Sequence, residues 1–333
     1  MIYFILRRLV LYIPLLILIS IVTFTIIQLP PGDYLNTYIA RLEAEGGRIP
    51  EEEIARLRRQ YQLDKPLPVQ YIAWMSNILL RGDLGRSFEY NEPVAELIGE
   101  RIVFSMSITL ATSILLWVIS LPVGIYAATH QYSIFDYSTA FLGFIGLATP
   151  DFLFALIVGY VAFSYFNTNI LGLFSPEFVD APWSIAKLWD FLKHIVPPVV
   201  IIGTNGTAGF IRVVRGTLLD ELGKQYVITA RSKGLSETKV LIKYPVRVVL
   251  NPMMSTIGWI LPGLVSGEVI VSLVLNLPTA GPLMLNALLS QDMYLAGSIL
   301  MILSSLTLFG TLISDIALAW LDPRIRYERV GKD

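Results

Sequence analysis

Three carboxylates stand where carboxylates are costly. Asp151, Glu268 and Asp315 each fall inside a stretch that is otherwise apolar. A charge at a lipid-facing helix centre costs about 2.5 to 3.5 kcal/mol, so each acid is expected to face other helices or water. Acids so placed can accept hydrogen bonds from the hydroxyls and amines of a polar solute. Pro150, just before Asp151, also admits a structural reading. Proline removes a backbone donor and clashes with the preceding turn, and a neighbouring carboxylate can accept donors freed at the break. Bond-breaking chemistry has no comparable seat. The chain has no cysteine, and its two histidines, His130 and His194, lie apart at the ends of apolar stretches, where solvated interfacial roles are expected. No metal site is therefore assigned. There is no Gly-x-x-x-x-Gly-Lys-Ser/Thr phosphate loop, no His-Glu-x-x-His helix and no Gly-x-Ser-x-Gly elbow, so no residue is given a catalytic role.

The elements that hold these acids read as membrane spans. Of 333 residues, 54% are hydrophobic and 15% charged, against about 25% charged in an ordinary soluble domain. A hydrocarbon core about 30 Å thick needs about 20 helical residues at 1.5 Å each. Six stretches qualify: Leu9 to Leu29, Val103 to Ala128, Phe141 to Phe166, Ile195 to Arg215, Met253 to Leu275 and Leu295 to Leu321. The first follows Arg7 and Arg8 as a signal peptide would, but it exceeds the roughly 7 to 15 residues of a signal core and no small-x-small cleavage site follows. It is expected to stay in the membrane. Gly203, Gly206 and Gly209 dilute the fourth stretch along with Asn205, and small residues there point to close helix packing. The expected fold is all-α, a polytopic membrane protein with six transmembrane helices.

Charge sets the direction. Residues 212 to 251 carry eight Lys/Arg and three acids, whereas residues 30 to 100 carry eight Lys/Arg and twelve acids. Short cytoplasmic segments concentrate Lys and Arg, which places both termini in the cytoplasm of a cell-membrane protein. The 129 to 136 connection, also inside on this scheme, has no Lys or Arg. Asp151 and Glu268 each lie about fifteen residues along a span, about 20 Å above the cytoplasmic edge, where they could line one passage at one level. Asp315, nearer the cytoplasm, reads as a helix-packing or interfacial residue. The outer segment, residues 30 to 100, is too long for a bare loop and reads as a helical cap. "IPEEEIARLRRQYQL" has Pro50 and three glutamates at a helix start, Arg58 and Arg59 near its end, and Ile54, Leu57 and Tyr61 on one face. "VQYIAWMSNILL" (69 to 80) is a second amphipathic piece. The organisation is thus a first span (1 to 29), the cap (30 to 100), a core (101 to 321) with a cytoplasmic loop at 216 to 252, and a tail (322 to 333).

Within that loop, "TARSKGLSETKV" (229 to 240) holds out a polar, basic stretch. The chain reads as helix from Asp220 to about Lys233. Gly234 then supplies the left-handed backbone that ends a helix, and Ser236 can cap a second helix running toward Asn251 and Pro252. Small Ala230 and Gly234 would let another surface approach the backbone, with Arg231, Lys233, Lys239 and Lys243 at the rim. Such a corner suits a groove in a soluble partner. An amphipathic basic loop lying on anionic headgroups is the alternative.

"YVITARSKGLSETKVLIKYPVRVVLNP" resembles the cytoplasmic loop of ABC transporter permeases, whose signature is Glu-Ala-Ala, three residues, then Gly. The peptide-type form is Tyr-Val-x-Thr-Ala-Arg-Ala-Lys-Gly-Leu. Tyr226, Val227, Thr229, Ala230, Arg231, Lys233, Gly234 and Leu235 fill it, with Ser232 for the second Ala. "PPGD" (30 to 33), "LDKPLPVQYIAW" (63 to 74), "RGDLGRS" (81 to 87), "PVAELIGERI" (93 to 102) and "LDPRIRY" (321 to 327) are similar to landmarks of the dipeptide, oligopeptide and nickel permeases, in the family's order. The resemblance covers nearly the whole chain. It implies the type I ABC importer permease fold, with the loop 226 to 235 as the coupling helix on the ATPase. Implied partners are a second permease subunit, two ABC ATPase subunits that bind ATP and Mg, an external substrate-binding protein and the lipid bilayer, with no nucleic acid and no cofactor on this chain. Pro150, Asp151 and Glu268 are the candidate pathway residues. The family often has Glu-x-x-Phe before a "PGLG" segment; here Ser272 holds the acid's place and the acid is Glu268. "LPTAGPL" replaces the glycine-rich form, Gln291 stands where Arg precedes Asp, and Pro245 interrupts the second cytoplasmic helix. Oligopeptides and oligosaccharides are both expected cargoes. An ion-coupled secondary transporter and a membrane-embedded enzyme are the rival classes.

Overall fold

A computed structural model of the protein describes residues 2–29, 35, 39, 50–60 and 64–321, with the side chains of all of these except 2–4, 51, 53, 57, 60, 256–268 and 321. "PPGD", Tyr61 and the tail from 322 lie outside the described residues, as does all of "LDPRIRY" after Leu321. The described chain is helical, and its only strand-like pairing is an isolated antiparallel bridge between Arg86 and Pro93. In order the helices are α1 (Ile2–Gln28), α2 (Glu51–Gln60), α3 (Leu67–Arg81), α4 (Val94–Thr129), α5 (Ile134–Ala148), α6 (Asp151–Phe166), α7 (Ile185–His194), α8 (Val196–Leu222), α9 (Gln225–Ser232), α10 (Glu237–Lys243), α11 (Pro245–Val274), α12 (Ala280–Leu289) and α13 (Met293–Leu321). Among the described residues, Ile5–Gln28, Val94–Thr129 and Met293–Trp320 are long and apolar enough to cross a membrane.

One expected span is not a span in the simple sense. The stretch Phe141 to Phe166 is two helices, α5 and α6, bent by 102° at Thr149 and Pro150. Pro150 explains the break, because it has no N–H and its ring excludes the helical preceding turn. The ends are satisfied locally: Thr149 donates from both N and Oγ1 to the Ile145 carbonyl, at 3.1 and 2.8 Å, and Phe154 N donates to the Pro150 carbonyl at 3.0 Å.

The chain forms two compact units. One comprises Met1–Ser105 and Pro278–Leu308. Its core gathers Phe24, Trp74, Phe88, Val94, Leu283 and Ile299. Trp74 is 1% exposed and leaves no room at Gly297, where an added Cβ would meet its ring at 2.8 Å. Phe24 packs edge-on against Tyr71 at 5.4 Å, and the Tyr71 and Ser20 hydroxyls are hydrogen-bonded at 2.8 Å. Asp292, fully buried, ties the segment after α3 to the start of α13. Its Oδ2 accepts from Ser87 Oγ (2.5 Å), Phe88 N (2.7 Å) and Glu89 N (3.1 Å), and its Oδ1 caps α13 through Leu295 N at 3.1 Å.

The second unit comprises Met106–Leu277 and Phe309–Asp333. Here α8 packs on α5 and α11. The glycines of α8 serve close approach as their composition predicts. A Cβ at Gly203 would stand 3.1 Å from Leu115, and one at Gly206 would stand 2.9 Å from Leu116. Gly124 of α4 is tighter still, 2.6 Å from Val214.

Replacing Asp292 by Ala strands three buried donors and a helix cap, each unsatisfied group costing about 1 to 3 kcal/mol. Asp292→Ala is expected to lower the thermal unfolding midpoint of the purified protein and open residues 82–93 to protease, while Asp292→Asn retains most of the stability. An unchanged midpoint and cleavage pattern for the alanine variant would show that the latch is not holding this segment.

Candidate functional site

The polar loop is a closed elbow. α8 runs on to Leu222, longer than expected, and the chain breaks at Gly223 and Lys224 rather than continuing as one helix to Lys233. α9 then ends as its sequence demands. Gly234 has φ +74° and donates to the Arg231 carbonyl at 2.9 Å, while Leu235 N reaches the Ala230 carbonyl at 3.4 Å. These are the paired bonds of a Schellman ending, with Leu235 folding back over Ala230 as that motif's apolar contact. A Cβ at Gly234 would meet nothing within 4 Å, so glycine is required there for its backbone angle and not for space.

Ser236 occupies the cap position of α10, although its side chain makes no capping bond. α10 stops at Lys243, and Pro245 opens α11 in its first turn, so the Asn251 and Pro252 pair lies inside α11 and ends nothing.

Two apolar residues from α9, Val227 and Ala230, and Val240 from α10 are buried against one another, with Leu235 and Tyr244 packed beside them. Ala230 is therefore part of the elbow's own core. Tyr226, Thr229, Arg231, Lys233 and Gly234 are the exposed members of the expected set. Arg231 is partly committed: its Nε and Nη2 donate to both Glu237 oxygens at 2.9 and 3.2 Å, bridging the two helices. Tyr226 donates to the Glu221 carboxylate. Burial, and then that carboxylate, push the phenol well above its ordinary range, so it remains a donor.

Asp151 is the first residue of α6 and is half-buried at the helix break, with the side chain of Asn205 on α8 close enough to interact with its carboxylate. Asn205, which dilutes the apolar stretch of α8, thus faces the acid at the helix break. Glu268 lies on α11, and its side chain is outside the described set. Asp315 is half-buried on α13 and has a partner. Among the described residues no group of three or more His, Asp or Glu forms a metal-binding cluster.

Residues 120–327 match the family model described as the binding-protein-dependent transport system inner membrane component, and residues 1–109 match the model for its N-terminal region. The chain belongs to this permease family. It is 33% identical to the oligopeptide transport system permease protein AppB of Bacillus subtilis (strain 168), over 97% of this chain and 99% of the relative. It is 32% identical to the inner membrane ABC transporter permease protein YejB of Escherichia coli O157:H7, over 98% and 99% of the two chains. The fold is also that of the MetNI methionine ABC transporter in its inward-facing form, with TM-score 0.52 at 14% identity, covering 68% of this chain and 96% of that one.

Two further polar clusters in the permease gave no motif. Asp136, 3% exposed, accepts from Arg215 Nε and Nη2 at 2.6 and 2.8 Å and from Tyr132 N at 3.0 Å. The 129 to 136 connection, which has no Lys or Arg, thereby pairs its acid with a charge on α8. In the segment between α6 and α8, burial would raise the Asp190 carboxyl, but the N–H and O–H of Ser175 with the charges of His194 and Lys193 outweigh it and hold it below the usual range. His194 is accordingly not merely solvated: its Nδ1 lies 2.9 Å from the Asp190 carbonyl. The only signal for either cluster was a charge beside an apolar run, and its partner 15 to 79 residues away carried no spacing rule.

Val240→Ala removes two methyl-sized groups from the elbow's small core, at about 0.8 kcal/mol each. Amides of α9 and α10 are expected to exchange roughly tenfold faster in this variant, with α8 unaffected; equal exchange across both helices would mean that the elbow draws its order from elsewhere.

Proposed function

We propose that the permease forms half of the translocation pathway of an ATP-driven importer, and that the elbow 226–235 is the surface its ATPase partner grips. The observation that carries this reading is the closed Schellman corner at the end of α9. It presents Thr229, Lys233 and Gly234 on a compact knob with its own core, whereas a loop resting on headgroups would show its apolar residues to lipid. Val227, Ala230 and Val240 do the opposite, while Ile228, 46% exposed, offers the partner an apolar contact beside the polar ones.

On this reading both termini are cytoplasmic, the chain crosses the membrane six times, and residues 30–100 cap the outer face. The core is 101–321 with the coupling loop at 216–252. A second permease subunit completes the passage, two ATPases hold ATP and Mg, and an external binding protein delivers cargo. Peptide is the proposed cargo, supported by the names of AppB and its like; oligosaccharide has no comparable support. Nucleotide-driven closure of the ATPases displaces the elbow, and α8 carries the displacement as a rigid element. The same helix holds Asn205, about 25 Å from Leu222 at 1.5 Å per residue, so motion of the elbow reaches the Asp151 break directly.

Backbone angle supplies the test. A residue with a Cβ at φ +74° is strained by about 1 to 2 kcal/mol, and asparagine tolerates that region best. Co-purification with the ATPase and transport should fall in the order glycine, asparagine, alanine at position 234, and Gly234→Trp should abolish association while membrane insertion persists. Full association of Gly234→Trp would remove the elbow from the interface.

For the pathway, we propose that Pro150 positions Asp151 beside the passage and that Glu268 joins it as a polar girdle. Asp151→Asn and Glu268→Gln are expected to reduce uptake at least severalfold with the assembled complex intact. Normal uptake by both variants would restrict Asp151 to closing the helix break.

A further inference from the structure

Between α6 and α8 the chain builds a small folded element whose polar interior is self-sufficient. Lys187 of α7, 6% exposed, donates from Nζ to the Val179 and Ala181 carbonyls at 3.2 and 2.6 Å, and sits 4.9 and 5.3 Å from the Phe174 and Trp183 rings. Asp190 accepts from Ser175 N and Oγ at 2.7 Å each. Phe191 stacks on Phe174 at 5.6 Å. Two of the charges on α7 are thus consumed inward, and its outward side carries an apolar stripe with Lys193 at the edge. Ile185, Leu188, Trp189 and Leu192, spaced as one helical stripe, are 89%, 47%, 62% and 46% exposed.

We propose that this stripe of α7 lies in the membrane–water boundary, with its side chains among the upper acyl chains of the leaflet opposite the elbow. Position argues for lipid. Ile195 alone separates α7 from α8, and the 27 residues of α8 span about 40 Å at 1.5 Å each, close to the bilayer's full thickness with headgroups. With the basic elbow at one end of α8, the other end must sit at the opposite boundary, and α7 with it. The apolar exposure continues onto α8 at Val196 and Val200, 54% and 42% exposed. Composition agrees: an uncharged face bearing a tryptophan, with Lys193 exposed at its rim and its Nζ 5.9 Å over the Trp189 ring, suits acyl chains below and phosphates above.

The inference rests on α8 crossing the bilayer, which belongs to the proposed function, and not on the ATPase contact. The chain contains no cysteine, so single-cysteine variants need no background removal from it. Nitroxides at Ile185→Cys, Leu188→Cys and Leu192→Cys would be read in the assembled transporter, in nanodiscs of phosphatidylethanolamine and phosphatidylglycerol, for relaxation by oxygen and by a water-soluble nickel complex. Phe309→Cys on α13 serves as the bilayer control and Ile242→Cys on α10 as the aqueous one. Oxygen-over-nickel ratios severalfold above the Ile242 label are expected at all three positions. Nickel accessibility equal to that control would show a face open to water, and shielding from both reagents would show a protein subunit covering it; either result overturns the proposal. A Phe309 label in water would instead indict the membrane insertion beneath it.

Discussion

A peptide group buried among side chains has no water to bond, and that constraint governs where this permease can bend. A continuous helix satisfies every backbone donor within itself, so each interruption must be repaired where it occurs. The repairs are specific. At Thr149 and Pro150 the proline itself removes one donor, and Thr149 turns both its N–H and its hydroxyl onto one carbonyl. After α11 the chain turns through Asn276 at φ +51°, with Leu277 N on the Ser272 carbonyl and Gly172 N on the Leu275 carbonyl, both 2.8 Å. Before α13 it is Asp292 that gathers the free donors.

Buried charge follows the same rule. Lys187, Asp190, Asp136 and Asp292 are each surrounded by donors or acceptors within their own unit. An unpaired charge in such places would cost several kcal/mol, whereas a hydrogen-bonded one mainly specifies geometry. They fix the turns beside their helices: Asp136 holds Tyr132, Lys187 and Asp190 hold the chain at 175–181, and Asp292 holds Ser87 to Glu89. The elbow differs in kind. Its shape comes from one left-handed glycine and a three-residue apolar core, and its Arg231 and Glu237 bridge is exposed and therefore weak. A corner of that sort holds its form while leaving its polar rim available.

Glycine has two distinct uses in the permease. In α4, Gly124 is required because the Val214 side chain and the Ile211 carbonyl crowd the place of a Cβ, and in α8 a Cβ at Gly203 or Gly206 would press on Leu115 or Leu116. At Gly234 the space is open and the backbone angle is the requirement. Substitution fails for different reasons in the two cases, by steric displacement in the first and by torsional strain in the second.

Length and apolar composition by themselves determined that the chain is a helical membrane protein, because span length and local helix endings depend on residues close in sequence; the family was legible only as a resemblance of Tyr226 to Leu235 and the other landmarks to known permeases. Pro150 announced a break, Gly234 a helix end and Gly203 close packing, each from a property of the residue itself. Only the tertiary structure decided that the broken helix turns through 102°, that Ala230 faces inward, that Asn205 meets Asp151, and that Asp292 latches Ser87. Those outcomes join residues separated by up to 205 positions, and the energy of such a contact is set by what the fold brings to it, which no local pattern encodes.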